Sequence, residues 1–393
     1  MNIFKLSWKN LLVKPLNTGL SILLLMLGVA MISLLMLMSS QLEEQFKKNI
    51  TGIDMVVGAK GSPLQLILSA VFQVDNPTGN ISLAEAEELK KNRLIALGIP
   101  LSYGDSYRGY RIVGTTSEYL DLYDASLQEG RVWQKSLEVV IGSKIAVATG
   151  LKLGDEFASA HGFAEGGDVH DHSQFKVVGV LERSNSVVDQ LLLTATESIW
   201  DVHNHDGAEA DDDPQITAML IKFRGPMGII RLPRMVNEET NMQAAVPSFE
   251  MSRLIGLMGV GIDTLNLIAY LVMIVSAISI FISLYNAIKE RRYEMALMRS
   301  YGATARQLFL MVVLEGVFLA VLGIILGTLT SRAGLLIVSG LAEERFHFDF
   351  NNLAILSQEY YLFGACMAIG FVASVIPAIQ ALRIDISRAL AEG

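Results

Sequence analysis

The sequence predicts an α-helical membrane protein with four transmembrane helices and a large mixed α+β extracytoplasmic domain on a helical stalk. Three observations point there. The 393 residues are 51% hydrophobic against 18% charged, with a mean hydropathy of +0.42, well above an average soluble domain. Four runs that are nearly free of charge exceed the roughly 20 residues needed to cross about 30 Å of hydrocarbon. Those runs leave one long central stretch, 41–262, in which short β-rich segments alternate with Gly and Asp. A net charge of −9 gives no basic footprint for nucleic acid. With Cys366 as the single cysteine, no internal disulfide can form, so the central domain must fold on its core alone.

A cytoplasmic N-terminus, 1–17, precedes the first span, 18–40, whose most apolar part is LSILLLMLGVAMISLLMLM. This run is too long for a signal-peptide core and lacks a small-residue cleavage site, so it reads as a retained anchor. SQLEEQFKKNI continues it as a stalk helix. The second span is 264–288, the third 307–331 and the fourth 360–382. Between them lie a cytoplasmic loop with a short helix, 289–306, and a short periplasmic loop, 332–359. A cytoplasmic C-terminus, 383–393, closes the chain. Lys5, Lys9, Lys14, Lys289, Arg291, Arg292, Arg299, Arg306, Arg383 and Arg388 all fall on one side, against Glu290, Glu294, Asp385 and Glu392. The excess of Lys and Arg assigns that side, with both termini, to the cytoplasm.

Within the central domain, RGYRIVGTT, SLEVVIGS, FKVVGVL, QLLLTAT and QITAMLIKF read as strands. SLAEAEELKKN and KIAVATG read as helices, the first with Ser82 as its cap and acids in its first turn. FEMSRLIGLMGVGIDTL leads into the second span as a second stalk helix, with Met251, Leu254, Leu257 and Met258 on one stripe.

Two features of the third span invite interpretation. Gly316, Ala320, Gly323 and Gly327 place small side chains on one face, a seam for close helix packing within or between subunits. Glu315 is an intramembrane carboxylate, which fits either a functional group such as a proton site or a structural partner hydrogen-bonded to a neighbouring helix.

Phosphate-loop, nucleophile-elbow, zincin and C-x-x-C motifs are all missing from the sequence, so the chain reads as non-catalytic. His161, His170 and His172, with His203 and His205 beside Asp211, Asp212 and Asp213, form two patches. Imidazole and carboxylate suit zinc-like ions, and solvated polar loops are the other reading.

The loop and third span, AIKERRYEMALMRSYGATARQLFLMVVLEGVFLAVLGIILG, and the C-terminal VIPAIQALRIDISRALAEG resemble the FtsX-like permease family of ABC transporters, which includes MacB and LolC. EGRVWQKSLEVVIGSKIAVATGLKLGDEF and FKVVGVL resemble the MacB-type periplasmic core domain. The resemblance implies an inner-membrane permease that dimerises with a second copy of itself or a paralogous permease. It also implies a separate ABC ATPase that binds ATP and Mg, and mechanotransmission through the stalk. The cytoplasmic helix would then dock on that ATPase through Arg291, Arg292, Glu294, Met295, Ala296, Leu297, Met298, Arg299, Gly302 and Ala303. The implied function is export or extraction of a lipoprotein, peptide or hydrophobic compound, with a periplasmic adaptor or lipoprotein and membrane lipid as further partners. Signalling across the envelope to a periplasmic partner, or zinc-linked export, are the alternatives.

Overall fold

The computed structural model describes residues 3–13, 15–161, 169–205, 214–346 and 352–383, with the backbone only at 161, 169–173, 203–205 and 341–346. The chain divides into two compact units, Met1–Leu42 with Leu257–Gly393, and Glu43–Gly256. Helix α1 (Ile3–Val13) is followed by α2 (Pro15–Ile50). Pro15 opens α2, where a missing N–H costs nothing, and Thr18 Oγ1 donates to Leu11 O at 2.9 Å across the break. At 1.5 Å per residue α2 is about 54 Å long, more than a bilayer core requires.

The inserted unit begins with β1 (Met55–Ala59), α3 (Pro63–Ala70), β2 (Ile81–Ser82) and α4 (Leu83–Lys90). Ser82 Oγ accepts the Glu85 N–H at 3.5 Å, the expected cap of α4. Then come β3 (Ile95–Tyr107), β4 (Tyr110–Thr115), α5 (Glu118–Leu122), β5 (Leu127–Gly130), β6 (Glu138–Ile141) and α6 (Ser143–Thr149). Strands β7 (Glu156–His161) and β8 (Val169–Leu181) precede β9 (Leu192–Ala195) and α7 (Thr196–His205). The unit ends with β10 (Gln215–Ile216), β11 (Ala218–Phe223), α8 (Met227–Glu239) and β12 (Met242–Ala245).

One sheet runs β12-β1-β11-β3-β4-β9-β6-β8-β5, with β7 pairing β3 and β8. The long strand β3 belongs to both halves: Ile95–Leu101 pair with β11, and Ser102–Tyr107 with β4. Each half has its own apolar core. Met55, Val57, Met219, Ile221, Leu232 and Val236 fill one, and Ile112, Val139, Ile141, Phe175, Val177 and Leu192 fill the other. The run QITAMLIKF is two strands rather than one, split at Thr217, whose N–H donates to Leu101 O and whose Oγ1 accepts the Tyr103 N–H.

Helices α9 (Pro247–Glu290), α10 (Arg292–Ser300), α11 (Ala305–Phe346) and α12 (Ser357–Leu382) complete the helical unit. Among the described residues, four helices, α2, α9, α11 and α12, are long and apolar enough to cross a membrane. Two expectations change. The third span does not end in a loop at 332, because α11 stays helical through Phe346 with Arg332 inside it. In the first turns of α9, Met251 is buried but Leu257 and Met258 are exposed, so the stripe packs inward only at its start.

Candidate functional site

The segment joining α9 to α11 is built from local signals. Helix α10 ends in a Schellman turn: the Gly302 N–H donates to Arg299 O at 3.1 Å and the Ala303 N–H to Met298 O at 3.0 Å. Gly302 takes φ +96°, a conformation open to glycine at little cost. Two residues later Thr304 and Gln307 form a capping box, with Thr304 Oγ1 accepting the Gln307 N–H at 3.3 Å and Gln307 Oε1 accepting the Thr304 N–H at 2.8 Å. S-Y-G-A-T-A-R-Q is thus a stop signal followed by a start signal.

Two faces of α10 differ sharply. Met295 and Ala296 are buried, with Ile288, Leu308, Met311, Val312, Ala378 and Ala381, and Met298 packs against the same cluster. These residues anchor the helix, so they are not the surface it offers. The outer stripe is Tyr293, Leu297 and Tyr301, at i, i+4 and i+8, with Tyr301 84% exposed. Arg292, Glu294 and Gly302 are also exposed, while Arg299 and Ala303 are half-buried. The two tyrosines were not among the residues singled out from the sequence, although their spacing with Leu297 was readable there.

Arg291, expected at the docking surface, is buried instead. Its Nη2 donates to Asn10 O at 2.6 Å, and its Nη1 lies 3.5 Å from Glu315 Oε1. Asn10 Nδ2 donates to the same carboxylate oxygen at 2.7 Å. Ser7 Oγ donates to Met311 O at 3.1 Å, and the Trp8 ring meets Phe318 edge-on at 5.9 Å. Helix α1 therefore lies against α11 through Ser7, Trp8 and Asn10. The Glu315 carboxylate is held by two neighbouring helical segments.

The small-residue seam also acts within the chain. A Cβ on Gly316 would stand 2.6 Å from Gly370 O of α12, and Ala320 Cβ would lie 2.7 Å from one built on Gly370. On Gly323 and Gly327 a Cβ would meet Leu25 at 2.6 Å and Val29 at 2.7 Å of α2. The seam thus faces two different helices in succession.

Near the far end of α11 is a second buried ion pair, missed in the sequence. Arg332 Nη1 and Nη2 bind Glu359 Oε1 and Oε2, each at 2.6 Å. Ser33 Oγ accepts from Arg332 at 2.7 Å and donates to Glu359 at 2.5 Å, and the Leu356 N–H donates to Glu359 at 2.9 Å. In the sequence the two charges stand at the ends of the segment 332–359 that separates the third and fourth spans. Their opposite signs, at the facing ends of consecutive apolar runs, were the available signal.

In the inserted unit, the end of α2 is tied to three places. Phe46 meets Phe72 edge-on at 5.2 Å, Tyr123 Oη donates to Asn49 O at 3.2 Å, and the Val187 N–H donates to Asn49 Oδ1 at 3.2 Å. Arg111, also missed, donates to Ser69 O, Gln73 Oε1 and Asp75 O, and its guanidinium lies over the Tyr103 ring at 5.0 Å. Burial lowers the pKa of Arg111 and pushes Tyr103 up to about 12, the latter against the opposing Arg111 charge. This arrangement orders the loop after α3. The histidine patches lie on β7 (His161), β8 (His170, His172) and the end of α7 (His203, His205), with side chains outside the described residues. Among the described residues no group of three His, Cys, Asp or Glu is placed to hold a metal.

Comparison with known proteins supplies the class. The family model described as MacB-like periplasmic core domain matches residues 18–224, and that described as FtsX-like permease C-terminal matches 266–386. This chain belongs to the MacB/FtsX family of ABC-transporter permeases. A search of curated proteins finds no match. Among solved structures, the periplasmic region of MacB from Actinobacillus actinomycetemcomitans is similar at 14% identity and a TM-score of 0.35, covering 53% of this chain and 97% of that one. The extracellular domain of the transporter YknZ from Gram-positive bacteria is similar at 14% identity and a TM-score of 0.32, covering 48% and 98%. A domain of a putative permease from Porphyromonas gingivalis follows at 14% and 0.28, covering 50% and 88%. As a MacB/FtsX-type permease with four apolar helices and a MacB-like periplasmic domain, the protein fits the inner membrane.

Proposed function

We propose that this permease couples ATP hydrolysis by a separate ABC ATPase to a conformational change of its periplasmic domain. The result is export or extraction of a lipoprotein, peptide or hydrophobic compound. The partner ATPase binds ATP and Mg, the permease works as a dimer, and both termini are cytoplasmic. The observation that carries this reading is the outer face of α10. Tyr293, Leu297 and Tyr301 form an exposed aromatic and apolar stripe on a helix whose other face is locked into the bundle. Such a surface suits a protein partner, because a few aromatic anchors supply most of the energy of an interface. The basic flanks of α10 support a cytoplasmic position for it, where a nucleotide-hydrolysing subunit resides.

The test is co-purification from the native membrane followed by ATPase assay of the reconstituted pair. A P-loop ATPase should accompany the wild-type chain and be stimulated by it. Leu297→Glu should abolish stimulation while thermal unfolding of the permease is unchanged, because it buries a charge against the partner. Full stimulation by Leu297→Glu would refute the docking surface.

A further inference from the structure

Arg291 stands at the elbow where α9 ends and α10 begins, so its position decides the direction in which α10 leaves the bundle. In place of a cap made by α10 itself, the elbow is held by a side chain reaching inward. The guanidinium is buried between the Asn10 carbonyl at 2.6 Å and the Glu315 carboxylate at 3.5 Å. Glu315 is in turn held by Asn10 Nδ2 at 2.7 Å. Asn10 thus touches both charges, through its carbonyl to one and its amide to the other. Helix α1 carries Asn10 and is fastened to α11 by Ser7 and Trp8.

We infer that Arg291 is a positioning residue for the docking helix, and that α1 and Glu315 form the latch that sets the angle of α10. This rests on the proposed docking of an ATPase on α10. The physical reason is geometric. The inner anchors Met295 and Ala296 are apolar and non-directional, and fix how deep α10 sits. The hydrogen bond of Arg291 to the Asn10 carbonyl is directional and, with the ion pair to Glu315, fixes its heading. A partner pushing on Tyr293, Leu297 and Tyr301 acts on a lever whose pivot is Arg291. The latch passes that push to α11, ten residues beyond its start, and to α1.

The test compares Arg291→Ala, Arg291→Lys and Glu315→Gln in the full-length chain. The Gln variant keeps an oxygen for Asn10 and removes only the charge, so it serves where Arg291→Ala fails to fold. Two readouts are taken. Hydrogen exchange of 292–303 should rise at least tenfold in Arg291→Ala and Glu315→Gln, with the middle of α11 unchanged. Maximal ATPase stimulation should fall at least tenfold, while the permease concentration giving half-maximal stimulation moves less than threefold. Arg291→Lys, which keeps the charge but not the fork, should fall between. Unchanged exchange in α10, or exchange that rises equally in every helix, overturns the latch whether or not an ATPase binds. Stimulation within twofold of wild type in a variant with loosened α10 overturns it as well. Failure of the wild-type chain to stimulate any P-loop ATPase overturns the docking reading and the inference together, whereas failure of the latch alone leaves Leu297→Glu still inactive.

Discussion

The two buried ion pairs of α11 solve one problem in different ways. At Arg332, both guanidinium nitrogens meet both carboxylate oxygens of Glu359, and Ser33 and the Leu356 amide fill further acceptor positions. At Glu315, one oxygen serves both Asn10 and a guanidinium 3.5 Å away, while Arg291 spends its shorter bond on a carbonyl. The same combination of guanidinium and carboxylate thus makes a rigid staple in one place and a looser, shared contact in the other. The tight pair ties α2, α11 and α12 together; the loose one lies beneath the helix proposed to meet a partner. A bidentate pair with its lone pairs filled has one low-energy arrangement.

That contrast can be broken by mutation. The largest effect is expected at the staple. Glu359→Ala leaves a buried guanidinium without its carboxylate and should cost about 3–5 kcal/mol, read as a lower unfolding temperature in detergent. The double change Arg332→Met with Glu359→Leu should recover most of the loss, since the pair costs as much in desolvation as it returns. A double variant as unstable as the single one would show that the staple itself stabilises the fold.

A smaller loss is expected where packing alone acts. Gly316→Ala places a methyl 2.6 Å from the Gly370 carbonyl, a backbone atom that cannot rotate away, and should cost about 1–3 kcal/mol. If its unfolding temperature matched wild type, the close approach of α11 and α12 would be wrong.

The smallest effect belongs to a pair at the surface of the inserted unit, with Arg131 exposed and Glu138 half-buried, which sharpens the comparison by supplying its lower limit. Arg131 grips Glu138 with two nitrogens, and this hydrogen bonding, with help from the Gln134 and Lys135 amides and against burial, holds the carboxyl down at about 2. A carboxyl lowered on folding contributes above its unfolded pKa of roughly 4.3, and the contribution is lost as the pH falls toward 2. The difference in unfolding temperature between wild type and Glu138→Gln should therefore be small near pH 6 and vanish toward pH 2. A difference independent of pH would assign the effect to something other than the charge.

How much of this was legible varied with the kind of signal. Ser82 and the Gly302–Thr304 turn are short-range chemistry, and their hydrogen bonds close within five residues along the chain. Strands β1 and β3 went unread. They are buried over long stretches and lack the alternation that marks a half-exposed strand. The inward turn of Met295 and Ala296 and the outward turn of Tyr293 and Tyr301 were half-legible, since periodicity separates two faces but does not say which one is covered.

From the sequence alone, hydropathy determines the four spans, and the positions of Lys and Arg determine their expected orientation, because both depend only on transfer of side chains between water and lipid. The caps and turns around α10 are determined in the same local way. Only the tertiary structure decided that Arg291 faces Asn10 and Glu315, that Arg332 faces Glu359, and that the glycine seam is shared between α12 and α2. Those pairings join residues up to about 300 positions apart, and directional bonds at such separations exist only once the helices have packed.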